Sequence, residues 1–383
     1  MKNCMISALE KSKGDIKALN EFLFNNPETS YKEVNSCNYI CEFLSKHNFK
    51  IEKNFLDIKT SFYASKGNGY PKVCFLCEYD AVLNEGHLTG HNLLTSTSIA
   101  AAVTLGEIID KINGSVIIIG CPGEYLGGTK SVMVRQGVFD DIDAVLVAHP
   151  DIVTSESGSS SAIVPMEVKF SSSNGFSFLN KEGYNSLDGI LLTFNILNSL
   201  LKGFPKDIEI NSILSKGGST PLLVPSEAEA KFYIRGKEMD VVRIVENKIR
   251  EIVIYVSKLI RVQYSISLYE PESEELNTNR TLNRLFSHNL KENGIINIEA
   301  PRDIKSGLSL GVVSKKVPAI HPYFSIIEDE EIEYGTKEFA KATISDHGFN
   351  EAMKAALSLA FTGHDIMINE NLLGEIKKEF YKK

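Results

Sequence analysis

Apolar and polar positions in the first half of the chain alternate between helical and strand spacing. Ile6, Leu9, Ile16, Leu19, Phe22 and Leu23 recur on one helical face, and Asn25-Asn26-Pro27 closes that helix. Val34, Ile40, Phe43 and Leu44 predict a second amphipathic helix over residues 31–47. Strands are predicted near residues 48–51, 61–65 and 72–77, the last around the apolar run Val73 to Leu76. The small, apolar segment from Leu93 to Ile109 reads as a helix. Ser115 to Cys121 is β-branched and reads as a buried strand. A helix through residues 132–137 and a strand over 144–148 follow. Strands alternating with helices predict an α/β domain with a mostly parallel sheet and helices on both faces.

Polar residues gather where these strands end. Cys77 to Asn92 holds Glu78, Asp80, Glu85, His87 and His91 between a strand and a helix. Pro122-Gly123-Glu124-Tyr125 ends the next strand, and His149-Pro150 ends the one after it. In open α/β sheets, ligands bind at the C-terminal ends of strands.

The texture changes near Ser155. Residues 155–161 are a Ser/Gly-rich connector. Strand patterns at 162–170, 208–212, 228–235 and 262–269 interleave with helical ones at 184–201 and 240–258. This β-α-β-β-α-β order predicts a ferredoxin-like unit. Glu270 to Glu275 leads out, residues 282–293 are helical, Val317 to Ile320 runs into His321-Pro322, and a long helix covers 349–366. The expected layout is a catalytic-type domain, residues 1–162 and 271–383. A smaller ferredoxin-like α/β lid or dimerisation domain, residues 163–270, interrupts it.

A chain of 383 residues is ample for two such domains. Its net charge of -8 gives no reason to expect nucleic acid or an acidic membrane as partner. The N-terminus has no apolar signal region and no apolar run approaches a bilayer span, so the expectation is a cytoplasmic protein with no membrane partner. Cys74 and Cys77 have CxxC spacing but fall within a predicted strand, so they read as buried small residues, as do Cys37 and Cys41.

Several fragments, in order, carry a family resemblance: Asn26-Pro27-Glu28, Cys77-Glu78-Tyr79-Asp80-Ala81, Gly86-His87 through Gly90-His91-Asn92, Pro122-Gly123-Glu124, Ala148-His149-Pro150, Lys216-Gly217-Gly218, Tyr233-Ile234-Arg235 and Ile320-His321-Pro322-Tyr323-Phe324. The chain resembles the M20 metallopeptidases and amidohydrolases, in the branch of aminobenzoyl-glutamate hydrolases and M20-domain dipeptidases. The turn Lys181 to Asn185 also resembles that family's insert. The resemblance implies hydrolysis of an amide in a small N-acyl amino acid or dipeptide by a two-metal site holding zinc, manganese or cobalt. It also implies a homodimer formed through the inserted domain. His91 and His149 match metal ligands, Asp80 an acid in or close behind the metal shell, and Glu124 the general base. Arg235 matches an arginine that binds a substrate carboxylate.

The departures fall on ligands. Thr89 stands at the family's thiolate, and Tyr125 at the second residue of its Glu-Glu pair. Asp346, with His347 beside it, stands at the late histidine. A hydroxyl is a poorer ligand than a thiolate, and a phenol keeps its proton near neutral pH. Two histidines and one or two acids hold at most one metal tightly. The expectation is therefore an amidohydrolase with an altered or single-metal site, in which Thr89, Tyr125, Asp346 or His347 completes the shell. The alternative is a catalytically inactive relative that binds a ligand or a partner subunit. Plainer readings stay open for each residue: His91 as a helix-start residue, Glu124 as a solvated acid, Asp346 as a helix cap, Arg235 as a surface ion pair, and His321 as packing at a sheet edge.

Overall fold

The structure is a computed structural model and describes residues 1–179, 183–328 and 331–382. Lys181 and Glu182, in the turn expected to mark the insert, lie outside the described residues. The chain divides into two units. Met1–Ser159, Leu276–Ile304 and Val312–Lys383 form the first, and Ser160–Glu275 with Lys305–Gly311 the second.

The first unit opens with helices α1 (Lys2–Asn25) and α2 (Val34–Lys46). Strands β1 (Lys50–Lys53), β2 (Phe62–Gly67) and β3 (Lys72–Cys77) lead into α3 (His91–Gly106). Next come β4 (Ser115–Gly120), α4 (Lys130–Arg135), β5 (Ala144–Leu146) and β6 (His149–Asp151).

The second unit follows the predicted order: β7 (Ala162–Ser171), α5 (Ser186–Leu200), β8 (Glu209–Lys216), β9 (Glu227–Gly236), α6 (Met239–Ile260) and β10 (Gln263–Leu268). Its four strands pair antiparallel in the order β10-β7-β9-β8. Val164, Met166, Val168 and Phe170 of β7 share a buried face with Ala228, Ala230, Phe232 and Ile234 of β9, packed against Val242, Val245, Ile249 and Val253 of α6. The period-two pattern of these strands is the mark of a sheet with one covered face.

Beyond α7 (Arg280–Glu292) and α8 (Leu310–Ser314), the chain adds β11 (Ala319–Ile320) and β12 (Tyr323–Ser325). Helices α9 (Lys337–Ala342), α10 (Asp346–Ile368) and α11 (Glu370–Tyr381) complete it.

The main sheet of the first unit runs β1-β2-β4-β3-β5-β11. β4, β3, β5 and β11 are parallel, while β2 and β1 add an antiparallel edge. The predicted mostly parallel sheet is therefore present. A separate parallel pair, β6 with β12, sets Tyr323 opposite His149. Every residue of α3 is buried, and the helix packs against α1, α10 and β3. The segment His91–Lys111 is long and apolar enough to cross a membrane, contrary to the expectation from sequence, but 94% of its apolar window is buried inside the protein. It is a core helix, apolar all round because it is covered all round. The cysteines from Cys37 to Cys121 are buried free thiols, in keeping with a packing role.

Candidate active site

Strand ends and one helix start converge on a buried polar cluster. β3 ends one residue before Glu78, β6 begins with His149, and α3 begins with His91. One ligand atom from each of Glu78, His91 and His149 lies within 4.8 Å of the other two. Gly90 makes this possible. Its φ is +81°, and a Cβ there would sit 2.7 Å from Pro150 Cγ, so only glycine lets the start of α3 come this close to the end of β6.

Hydrogen bonds aim the two rings. His91 Nδ1 donates to Asp80 Oδ1 at 2.9 Å, which turns Nε2 towards Glu78 Oε2, 3.6 Å away. His149 Nδ1 donates to the Pro150 carbonyl at 2.8 Å, which leaves its Nε2 as the lone-pair nitrogen. His321 lies beside them, its ring centroid 5.4 Å from that of His149, and its buried Nδ1 has no hydrogen-bond partner. Two imidazoles and a carboxylate, Glu78, His91 and His149, are the donors that zinc, manganese and cobalt take, and His321 stands outside that group of three.

Lys130, the first residue of α4, is fully buried beneath this cluster. Its Nζ is 2.7 Å from Glu78 Oε1 and 2.7 Å from Glu124 Oε1. Burial opposes the ammonium, but Glu124 and Glu78 outweigh it and hold Lys130 above its ordinary value. Burial likewise resists the Glu78 charge, yet Lys130 and His91 hold it down to about 2. His91 is pushed up to about 9: burial works against its charge, and Asp80, Glu78 and Glu124 overcome it. His321 is held down to about 3 by burial and by the neighbouring His149, and burial with the charge of His91 lowers His149. Two of the three imidazoles are thus neutral, the form that ligates.

The residues expected from the sequence divide into three groups. His91, His149 and Glu124 meet in the cluster. Asp80 stands behind it rather than in it, because Oδ1 accepts from His91 while Oδ2 accepts from Ser30 Oγ at 2.7 Å and from the Tyr125 amide at 3.0 Å. Thr89 and Tyr125 lie at its edge, joined hydroxyl to hydroxyl at 2.5 Å, with the Tyr125 ring stacked 4.7 Å from that of His91. Burial pushes the Tyr125 phenol up to about 12, so in the metal-free protein it stays protonated.

The remaining candidates are elsewhere. Asp346 is exposed and paired with Lys17 at 2.6 Å, and His347 faces Glu328 at 3.5 Å. Neither completes the shell as expected, and Ser345, not Asp346, caps α10 by accepting from the Gly348 amide. The difference has a simple cause. Position relative to the chain end points to the start of α10, whereas strand pairing brings a different histidine, His321 after β11, to the cluster. Arg235 belongs to the second unit, on β9, where its guanidinium is 3.6 Å from Glu209.

Sequence reasoning missed three residues. Glu78 is two residues from Asp80, and their order in the shell depends on which faces the cleft. His321 reads from sequence as sheet-edge packing, although His321-Pro322 repeats His149-Pro150 beyond the neighbouring parallel strand. That repetition was the available signal. Lys130 had none, since a lysine at a helix start normally reads as solvated.

No family model matches the chain. Among curated proteins it is 27% identical over 384 residues to an Xaa-Arg dipeptidase of Mus musculus, covering 95% of this chain and 88% of that protein. It is 28% identical over 267 residues to a p-aminobenzoyl-glutamate hydrolase component of Escherichia coli, covering 64% of this chain and 56% of that one. Among solved structures, a dinuclear metal-binding peptidase of the M20 family from Bacillus subtilis superposes with a TM-score of 0.65 at 15% identity, covering 91% of this chain and 99% of the other. An aminobenzoyl-glutamate utilization protein from Klebsiella pneumoniae gives 0.71 at 13% identity, covering 93% and 97%. Likeness at such identities speaks for the fold. Together with the curated relatives, one of them matched over nearly the whole chain, it supports a peptidase or amidohydrolase of the M20 type.

Proposed function

We propose that the protein is a metal-dependent amidohydrolase that cleaves the amide of a dipeptide or of a small N-acyl or aryl-amido amino acid, with a single-metal site. The observation that carries this reading is the buried Glu78, His91 and His149 group, its ligand atoms within 4.8 Å of one another at the strand ends. The substrate class is taken from the relatives, which are a dipeptidase and an aminobenzoyl-glutamate hydrolase.

Glu78, His91 and His149 would hold one divalent ion, zinc, manganese or cobalt. Such an ion polarises the amide carbonyl and lowers the pKa of water. Glu124 is the general base in this reading. Its Oε1 lies 2.7 Å from the Lys130 ammonium, so the proton of the attacking water passes to Oε2 and from there to the departing amine. Asp80 orients His91. In the second unit Arg235 is the candidate for a substrate carboxylate. The homodimer of this reading forms through the inserted domain, whose edge strands β8 and β10 carry no outer strand among the described residues. Sedimentation showing only monomer at micromolar protein would remove that part.

The test is hydrolysis of aminobenzoyl-glutamate and a panel of Xaa-Arg dipeptides by the metal-loaded protein and by Glu124→Gln. Turnover lost in Glu124→Gln, with metal content unchanged, supports the reading. Bound metal with no turnover on the panel, but saturable binding of a panel member, would favour a non-catalytic binding protein instead.

A further inference from the structure

Resting on that single-ion reading, we propose that Lys130 is a resident cation standing in for a second metal ion, and that it limits the site to one divalent ion per chain. The placement is built into the loop. Gly127 and Gly128 both have positive φ, and a Cβ on Gly128 would fall 2.5 Å from Glu124 Oε1. The loop therefore wraps closely round Glu124 before α4 begins, and it delivers Lys130 under the strand ends.

Glu78 divides its two oxygens. Oε1 is on the Lys130 ammonium at 2.7 Å, and Oε2 faces His91. The acid thus spans two places for positive charge: a fixed one on the lysine side, shared with Glu124, and an open one among the imidazoles. A second divalent ion would have to sit beside the ammonium, where like charges in a dry site repel strongly. It would also lack ligands. The Thr89 and Tyr125 hydroxyls are bonded to each other, and both oxygens of Asp80 are committed. Among the described residues, Glu78, His91 and His149 are the one metal-capable group of three.

The experiment is equilibrium dialysis of the full chain against buffered zinc, manganese or cobalt, followed by elemental analysis. It compares the unaltered protein, Lys130→Met, Lys130→Arg and a His91→Ala His149→Ala variant. One ion per chain is expected, lost in the double-histidine variant and kept in Lys130→Arg, while Lys130→Met takes up a second. Two ions in the unaltered protein would overturn the role of Lys130 and the single-ion count, and leave the hydrolytic activity standing. An unchanged single ion in Lys130→Met would overturn the role of Lys130 alone. No ion with any of the three metals would overturn both. Should Lys130→Met fail to fold, the electron paramagnetic resonance spectrum of the manganese-saturated unaltered protein decides: isolated ions support the proposal, and an exchange-coupled pair refutes it.

Discussion

Replacing Asp80 with asparagine separates two effects of one carboxylate. Asp80 accepts a hydrogen bond from His91 Nδ1 at 2.9 Å and supplies the strongest upward pull on that ring, which stands at about 9 against an ordinary value near 6.5. In the metal-free protein His91 is therefore charged at neutral pH, and an incoming ion must displace its proton. At about pH 7 that competition is two pH units, roughly 100-fold in affinity. The neutral amide of Asp80→Asn would let the ring lose its proton near neutrality and so remove most of this competition. The same change weakens the orientation and basicity of the ring, which in comparable sites costs roughly 10–100-fold. The two effects nearly cancel at about pH 7. At about pH 9.5 the competition has gone in both proteins, and only the loss remains. Zinc affinity measured against a chromogenic chelator should thus be similar for the two proteins at the lower pH and about 10–100-fold weaker in Asp80→Asn at the higher. An equal ratio at both pH values would refute the reasoning. The metal-free stability has its own sign. Because the folded-state value of His91 is raised, its contribution is fully present below about 6.5 and disappears as pH rises through about 9. Asp80→Asn should flatten that decline.

Lys130→Met leaves Glu78 and Glu124 buried without their ammonium, which should cost about 3–5 kcal/mol in the metal-free protein, read as a lower midpoint in thermal melts followed by circular dichroism. An unchanged midpoint would show that the pair is solvated. Gly120→Ala places a Cβ 2.2 Å from the Phe62 ring and 2.6 Å from Tyr79 Oη in the main sheet, and should destabilise by about 1–3 kcal/mol in urea unfolding. Asn279→Ala removes the cap on α7, which accepts from the Leu282 amide at 2.9 Å, and also the bond to the Ile376 carbonyl at 3.0 Å. About 1–3 kcal/mol is expected, with faster hydrogen exchange at the start of α7 and along α11.

The elements were legible because their signals are local. A stripe at helical spacing announces α1 and α6, alternation announces β7 and β9, and a β-branched run announces β4, since each period follows from backbone geometry alone. The strand-end motifs likewise place His91, Glu124 and His149 at the mouth of a parallel sheet without any knowledge of tertiary contacts. Which acid faces the cleft was not local. Glu78 and Asp80 are two residues apart, and only packing turns one towards His149 and the other behind His91. Asp346 and His321 were separated by strand pairing: β11 joins β5 across more than 170 residues of chain and so carries His321 to the site, while Asp346 stays on the surface with Lys17. Lys130 shows the limit most clearly. Burying a lysine is unfavourable until two carboxylates meet it, and those come from residues 78 and 124, brought together only when β3 and β4 pair.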